Sequence, residues 1–102
     1  MTDQKEATLY EKLEKEIVMA TWGLLKEHHE KGTLVRLDPE LDLAQVGVDI
    51  AEDNVVRIRE LMTDLKLGQP TLEQVQAWEN DEDIQFSMII VQPYVLVQER
   101  VE

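Results

Sequence analysis

The sequence contains no cysteine among its 102 residues, and it is also poor in glycine, proline and aromatic side chains. Without cysteine there is no disulfide framework, no thiolate ligand for zinc and no cysteine nucleophile. The four glycines form neither a phosphate-binding loop nor a dinucleotide-binding fingerprint. The single serine, Ser87, lies inside an apolar stretch, so no serine-hydrolase motif is present either. These absences make an enzyme the less favoured interpretation.

Long apolar runs are missing as well, because no stretch approaches the ~20 residues that a membrane-spanning helix needs. The N-terminal segment lacks the apolar core of a secretory signal. Hydrophobic residues make up 43% and charged residues 31% of the chain, a balance typical of a globular protein. We therefore expect one domain spanning residues 1–102, located in the cytoplasm and not bound to a membrane.

Basic residues are scarce: the chain has ten lysines and arginines but 22 aspartates and glutamates, and its net charge is −12. Residues 32–83 carry −9 of this charge, from thirteen acids and four bases. So acidic a surface repels phosphate backbones, which argues against direct binding of nucleic acid. An acidic mimic of nucleic acid remains an alternative, and it requires the acids at 38–53 and 79–83 to share one face.

The first part of the chain predicts two helices. A capping box at Asp3 or Thr8 opens the first, and Gly32 ends the second. A single helix over this span would be longer than a domain of this size is wide, so we expect a break near Thr21–Gly23. One apolar face is predicted for Tyr10, Leu13, Ile17, Ala20 and Leu24.

Three further helices follow a short strand at Thr33–Leu37. Asp42 caps the first of them, whose inward positions are Leu43, Val46, Gly47 and Ile50. A second apolar stripe comprises Val55, Ile58, Met62 and Leu65. Thr71 caps the last helix, which ends near Trp78. Gly47 indicates close approach by another backbone, because glycine inside a helix costs about 1 kcal/mol relative to alanine.

The C-terminal segment Ile84–Gln98 is rich in residues that favour strands. Its apolar residues are continuous rather than alternating, which is typical of a strand covered on both faces. Pro93 cannot donate a backbone hydrogen bond, so the segment is one bulged strand, two strands or an open edge. The sequence therefore predicts an α+β fold, in which about five helices pack on a two- or three-stranded sheet formed by Thr33–Leu37 and Ile84–Gln98.

Three blocks of the chain resemble a known family: LVRLDPELDLAQVGVDIAEDN, LGQPTLEQVQAW and IIVQPYVLVQE. They are similar to a family of small bacterial proteins known only as a domain of unknown function. The likeness runs from about Thr21 to Glu99, and its specific parts are the DP-x-LDL block and the QPYVLVQ ending. The resemblance implies a bacterial cytoplasmic protein, and it brings no activity, cofactor or catalytic residue with it.

The alternating acids Asp38, Glu40 and Asp42 lie where the first predicted strand ends, a position at which small α/β and α+β domains often place chemistry. They do not complete a calcium loop, which needs a glycine and a glutamate further along. Asp42 is better explained as a helix cap and Asp38 as a turn former, so we predict no metal and no cofactor. The alternative is a metal-assisted hydrolase or a small-molecule site, with His29 supplying an imidazole.

Arg36 lies inside the predicted strand, on the face opposite its apolar neighbours. If that face is covered, the guanidinium must pair with a carboxylate, and Glu40 or an acid of Asp49–Asp53 is the expected partner. Arg36 therefore joins His29 and the three alternating acids in the candidate binding site.

The C-terminal segment supplies the leading functional prediction. A sheet this small and apolar has edges that need cover. We therefore expect a non-enzymatic interaction or regulatory module that forms a homodimer through Tyr94, Val95 and Val97, and that also binds a protein partner not identifiable from sequence. For Tyr94, which follows Pro93, two interpretations stay open: it lines a groove or interface, or it packs at a β-bulge.

Overall fold

The computed structural model describes residues 8–100 of the chain, which form five helices and five strands. The helices are α1 (Leu9–Glu16), α2 (Trp22–Glu30), α3 (Leu43–Ala51), α4 (Val55–Thr63) and α5 (Leu72–Glu79). The strands are β1 (Val18–Thr21), β2 (Leu34–Leu37), β3 (Leu67–Gly68), β4 (Gln85–Val91) and β5 (Tyr94–Glu99). The prediction of an α+β fold with about five helices is confirmed. No helix within residues 8–100 is long and apolar enough to cross a membrane.

All five strands join one mixed sheet in the order β1-β4-β5-β2-β3. The central strand, β5, pairs antiparallel with β4 and parallel with β2. The edge strands β1 and β3 pair antiparallel with β4 and β2. The predicted two- or three-stranded sheet is too small, because it omits both edge strands. The segment Ile84–Gln98 contains two strands, which separate at a turn over Gln92 and Pro93.

Strand β1 was missed because its residues continue the apolar spacing of the preceding helix. The expected break at Thr21–Gly23 is where α2 begins, but α1 already ends at Glu16. Val18–Thr21 instead pairs with β4, which lies far along the chain and leaves no local signal. Leu24 was predicted on the apolar face of the first helix, but it is exposed on α2. The capping box at Thr8 forms, and the alternative at Asp3 lies outside the described residues.

Helices cover both faces of the sheet. Val95 and Val97 point to one face and Leu96 to the other, because side chains alternate along a strand. Leu96 belongs to an aliphatic core under α1, α3 and α4, with Leu13, Val46, Leu61 and Ile89 among its buried members. Val95 and Val97 belong to an aromatic core under α2 and α5, with Trp22, Trp78 and Phe86. The prediction that the C-terminal segment is covered on both faces is confirmed.

Helix α3 packs closely on the sheet. Asp42 caps it by accepting hydrogen bonds from two backbone N–H groups of its first turn, as predicted. A Cβ atom added at Gly47 would lie 2.8 Å from Ile89 Cδ1 and 3.0 Å from Leu13 Cδ1. The close approach inferred at Gly47 is therefore present, but the neighbouring atoms belong to side chains rather than to another backbone.

Helices α2, α3 and α4 end in the same hydrogen-bonded turn, in which one residue has a left-handed backbone conformation. These residues are Gly32 (φ 78°), Asp53 (φ 58°) and Leu65 (φ 61°). In each turn, this residue and the next donate their N–H groups to carbonyls of the last helical turn. Glycine adopts the conformation without strain, whereas the β-carbon of leucine disfavours it. Leu65 is thus strained, and it is also 84% exposed.

Candidate functional site

The alternating acids of the predicted site follow β2, where two of them serve the local backbone. Asp38 Oδ1 accepts a hydrogen bond of 2.9 Å from the N–H of Glu40, which closes the turn. Asp42 caps α3, and its Oδ2 also accepts a hydrogen bond of 2.7 Å from the Tyr10 hydroxyl. That bond is the main reason why the pKa of Tyr10 is raised to about 12. The turn and cap interpretations of Asp38 and Asp42 are confirmed.

The predicted metal or hydrolase alternative needs the strand-end acids and His29 to converge. Within residues 8–100, no three His, Cys, Asp or Glu side chains are grouped so as to hold a metal ion. His29 lies on α2, and its ring centroid is 5.9 Å from that of Trp22, beside the aromatic core. Asp38 and Glu40 instead lead into α3, which covers the opposite face of the sheet. The structure therefore does not bring these three residues together as a ligand set.

Arg36 pairs with a partner that the sequence did not predict. Its Nε and Nη2 donate to Glu99 Oε1 at 3.2 and 2.9 Å, and the indole Nε1 of Trp78 donates to Glu99 Oε2 at 3.2 Å. The expected pairing with Glu40 or with an acid of Asp49–Asp53 is wrong, because β5 lies beside β2 and places Glu99 next to Arg36. The ion pair joins two strands and a helix, so its role is structural.

A second indole–carboxylate bond joins α2 to α5. Trp22 Nε1 donates to Glu79 Oε2 at 2.7 Å, and Lys26 Nζ lies 3.1 Å from the same oxygen. The indole bond, and then the lysine, hold the pKa of Glu79 below its usual value. Across residues 8–100, every buried side-chain nitrogen or oxygen has a hydrogen-bond partner. In this part of the chain, both indole N–H groups of the aromatic core are bonded to carboxylates.

The acids proposed for a nucleic-acid mimic do not all reach the surface. Asp49 of α3 is only 6% exposed, and its Oδ1 accepts a hydrogen bond of 3.2 Å from Gln45 Nε2. Asp42 is occupied by the helix cap and by Tyr10. The acids at 38–53 therefore do not form the regular row of exposed carboxylates that a mimic of a phosphate backbone needs.

Of the three predicted interface residues, Tyr94 is the one at the surface. Val95 and Val97 are 3% and 0% exposed, because α2 and α5 cover their face of the sheet. They are core residues of the monomer and are not accessible to a partner. Tyr94 is 40% exposed and lines a cleft, so the groove interpretation of this residue is the one that the structure supports.

This cleft lies between α4, β3 and the starts of β2 and β5, and its volume is about 340 Å³. Its apolar lining includes Val35, Ile50, Ile58, Met62 and Leu67, and its polar side chains are Asp53, Gln69 and Tyr94. Two of the left-handed helix ends, at Gly32 and Asp53, also border it. A concave, mostly apolar surface with a few polar groups is typical of a binding site.

Helix α4 continues this surface outward. Its buried residue is Leu61. Of the stripe predicted from the sequence, Ile58 packs partly against the aliphatic core, and the other three residues lie at the surface. Val55, Met62 and Leu65 are 48%, 53% and 84% exposed, and Ile58 is half-buried. A shallow groove of about 440 Å³, lined by Val55, Ile58 and Met62, shares the last two with the Tyr94 cleft. We call the four stripe residues Val55, Ile58, Met62 and Leu65 the α4 face.

The fold and the site define a small α+β protein with a sheet covered on both faces and an exposed apolar helix beside a cleft. The chain belongs to the family described as "Protein of unknown function (DUF2288)", which matches residues 8–99. The resemblance drawn from the sequence is therefore confirmed. No curated protein matches the chain.

One solved structure is similar over the whole chain. The NMR solution structure of PA1075 from Pseudomonas aeruginosa shares 24% sequence identity with this protein, with a TM-score of 0.79. The match covers 100% of this chain and 94% of that chain. At this level of identity, the similarity establishes the shared fold and nothing about the activity.

Proposed function

We propose that this protein is a non-enzymatic protein-interaction module, and that the α4 face is its docking surface. The observation that carries the proposal is an apolar stripe at helical spacing whose members Val55, Met62 and Leu65 are about half exposed or more. Burying a large aliphatic side chain is worth about 1.5–3 kcal/mol, so a helix that leaves several exposed forgoes much of its stabilisation. A partner that covers the stripe recovers it.

The backbone at the end of α4 supports the same conclusion. Leu65 occupies a left-handed position that glycine fills with less strain, and its side chain is 84% exposed. In the monomer this leucine therefore adds strain without compensating burial. Strained residues of this kind concentrate at functional surfaces. An apolar contact with a partner explains why the position holds leucine.

A photo-crosslinking amino acid placed at position 65 tests this proposal, because it captures a bound protein of any identity. The experiment is done in bacterial cells, in keeping with the cytoplasmic setting predicted from the sequence. Leu72 on α5, which is 73% exposed, is the matched control position. We expect discrete covalent adducts from position 65 and none from position 72. Equal labelling at the two positions, or none at position 65, would contradict a docking surface on α4.

A second candidate function, small-molecule binding, is favoured by the cleft of about 340 Å³ at Tyr94. Its lining is apolar apart from Asp53, Gln69 and Tyr94, which suits an uncharged or cationic ligand with an apolar body. Screening a fragment library by protein NMR tests this directly. Binding should shift the resonances of Val35 and Tyr94 together, and a Tyr94→Ala variant should lose the response.

A further inference from the structure

We infer that the partner of the α4 face is a second copy of this chain, with the two α4 helices packed antiparallel about a two-fold axis. The inference rests on the proposed docking function and names its partner. It moves the homodimer interface from the buried Val95 and Val97 to the exposed stripe on α4.

The spacing of the stripe is suited to two-fold pairing. Val55, Ile58 and Met62 lie on α4, and Leu65 follows two positions after the last residue of the helix. The four residues are spaced by three, four and three positions, so their order reads the same in both directions. In an antiparallel pair, Val55 then lies opposite Leu65 of the second copy, and Ile58 lies opposite Met62. Each contact occurs twice, as a closed two-fold interface requires. Within α4, the three-four spacing of Val55, Ile58 and Met62 is the spacing that forms the apolar seam of packed helix pairs.

The charge around α4 favours self-association at this place on a strongly acidic protein. The helix carries Arg57, Arg59 and Glu60, a net charge of +1, within a segment of residues 32–83 whose net charge is −9. Two copies that meet elsewhere on this segment bring many like charges together. Two copies that meet along α4 bring together a stretch that lacks the net negative charge of the segment, which lowers the electrostatic cost of association.

The size of the surface sets the expected strength of the dimer. Val55, Met62, Leu65 and Tyr94 are 40–84% exposed and offer on the order of 400 Å² of apolar surface. A standard interface buries about 800 Å² from each partner, so the exposed stripe residues together with Tyr94 supply roughly half and neighbouring polar residues supply the rest. We therefore expect a reversible dimer with a dissociation constant in the micromolar range rather than a permanent one.

Analytical ultracentrifugation of the full chain tests the interface with two matched methionines. Met62 on α4 and Met19 on β1 are 53% and 54% exposed, and glutamate at either position adds the same charge. We expect Met62→Glu to weaken the dimer by at least about tenfold and Met19→Glu to leave it unchanged within about threefold. Met19 also probes the competing mode, in which the free edge of β1 adds strands from a second copy.

A disulfide experiment tests the antiparallel register, because the natural sequence contains no cysteine that would interfere. Val55→Cys and Leu65→Cys are prepared separately, mixed in equal amounts and oxidised with glutathione. Antiparallel pairing predicts mostly mixed disulfides between position 55 and position 65. A parallel pair would instead give disulfides between identical positions and would overturn the register.

The outcomes separate this inference from the proposed function. A wild-type protein that stays monomeric well above micromolar concentration, or a dimer that Met19→Glu disrupts and Met62→Glu does not, overturns the second-copy inference. Adducts from position 65 to a different protein would then leave the docking function standing. If Met62→Glu does not fold, Leu65→Gly replaces it, because glycine is compatible with that backbone conformation. It should also weaken the dimer.

Discussion

Helices α3 and α4 are consecutive, have nine residues each and end in the same left-handed turn, yet they relate to the rest of the molecule differently. α3 buries five residues, including Leu43 and Gly47, whereas α4 buries Leu61. Both sequences show apolar residues at helical spacing. Such spacing therefore establishes that a helix has an apolar face, but not whether that face meets the protein's own core or a partner.

The largest expected difference between the two helices is in their contribution to monomer stability. Leu43→Ala on α3 should lower the free energy of unfolding by about 2–5 kcal/mol, because the side chain is buried and its removal leaves a cavity. Met62→Ala on α4 should cost the monomer less than about 1 kcal/mol, since the side chain is already half in solvent. Urea unfolding, at protein concentrations too low for dimerisation, measures the loss of unfolding free energy in both variants. Similar losses would remove the distinction between the two helices.

The left-handed residues at the two helix ends provide a smaller but sharper test. Leu65→Gly should stabilise the monomer by about 0.5–1 kcal/mol, because the relief of strain exceeds the added chain entropy. Asp53→Gly should stabilise it less, since aspartate tolerates this conformation better. Thermal unfolding measures both effects at low protein concentration. Leu65→Gly should therefore have opposite effects on the two states: it should make the monomer more stable and the dimer weaker. A destabilised monomer would contradict the strain interpretation.

The smallest expected effect concerns a hydrogen bond between α1 and the start of α3, which sets α3 apart from α4. Asp42 accepts the Tyr10 hydrogen bond and raises the pKa of Tyr10 to about 12. Because the folded-state pKa lies above the ordinary value of 10.0, the bond stabilises the fold fully below about pH 10 and is lost as the pH rises through about 12. Ultraviolet titration of the folded protein should show this late tyrosine ionisation. Asp42→Asn should move it to lower pH, and an unchanged titration would show that Asp42 is not the cause.

Features set by neighbouring residues could be predicted from the sequence. The caps at Asp42 and Thr71 and the helix end at Gly32 each depend on hydrogen bonds over a few positions, and all three form as expected. Arg36 shows where this kind of reasoning ends. Its need for a carboxylate was correctly inferred, but Glu99 lies 63 positions away and is brought close by the parallel pairing of β2 with β5.

The edge strands and the α4 face were also beyond local reasoning, for two different physical reasons. Val18–Thr21 fits a helical pattern, and its hydrogen bonds to β4 override that local preference. Met62 fits an amphipathic helix correctly, but the position of α4 at the margin of the sheet leaves the side chain outside. The partner of the apolar face is a property of the three-dimensional arrangement.

The order of the strands constrains how the protein folds as it is made. The middle strand of the sheet, β5, follows the other four in the chain, and its pairing of Leu34 with Val95 closes a long loop. Until a ribosome has released residues 94–99, the pair β1–β4 and the pair β2–β3 have no strand between them. Sheets that depend on such distant pairing form slowly, and their apolar strands stay unprotected in the meantime. This chain therefore has to complete its fold after synthesis of β5 rather than progressively during translation.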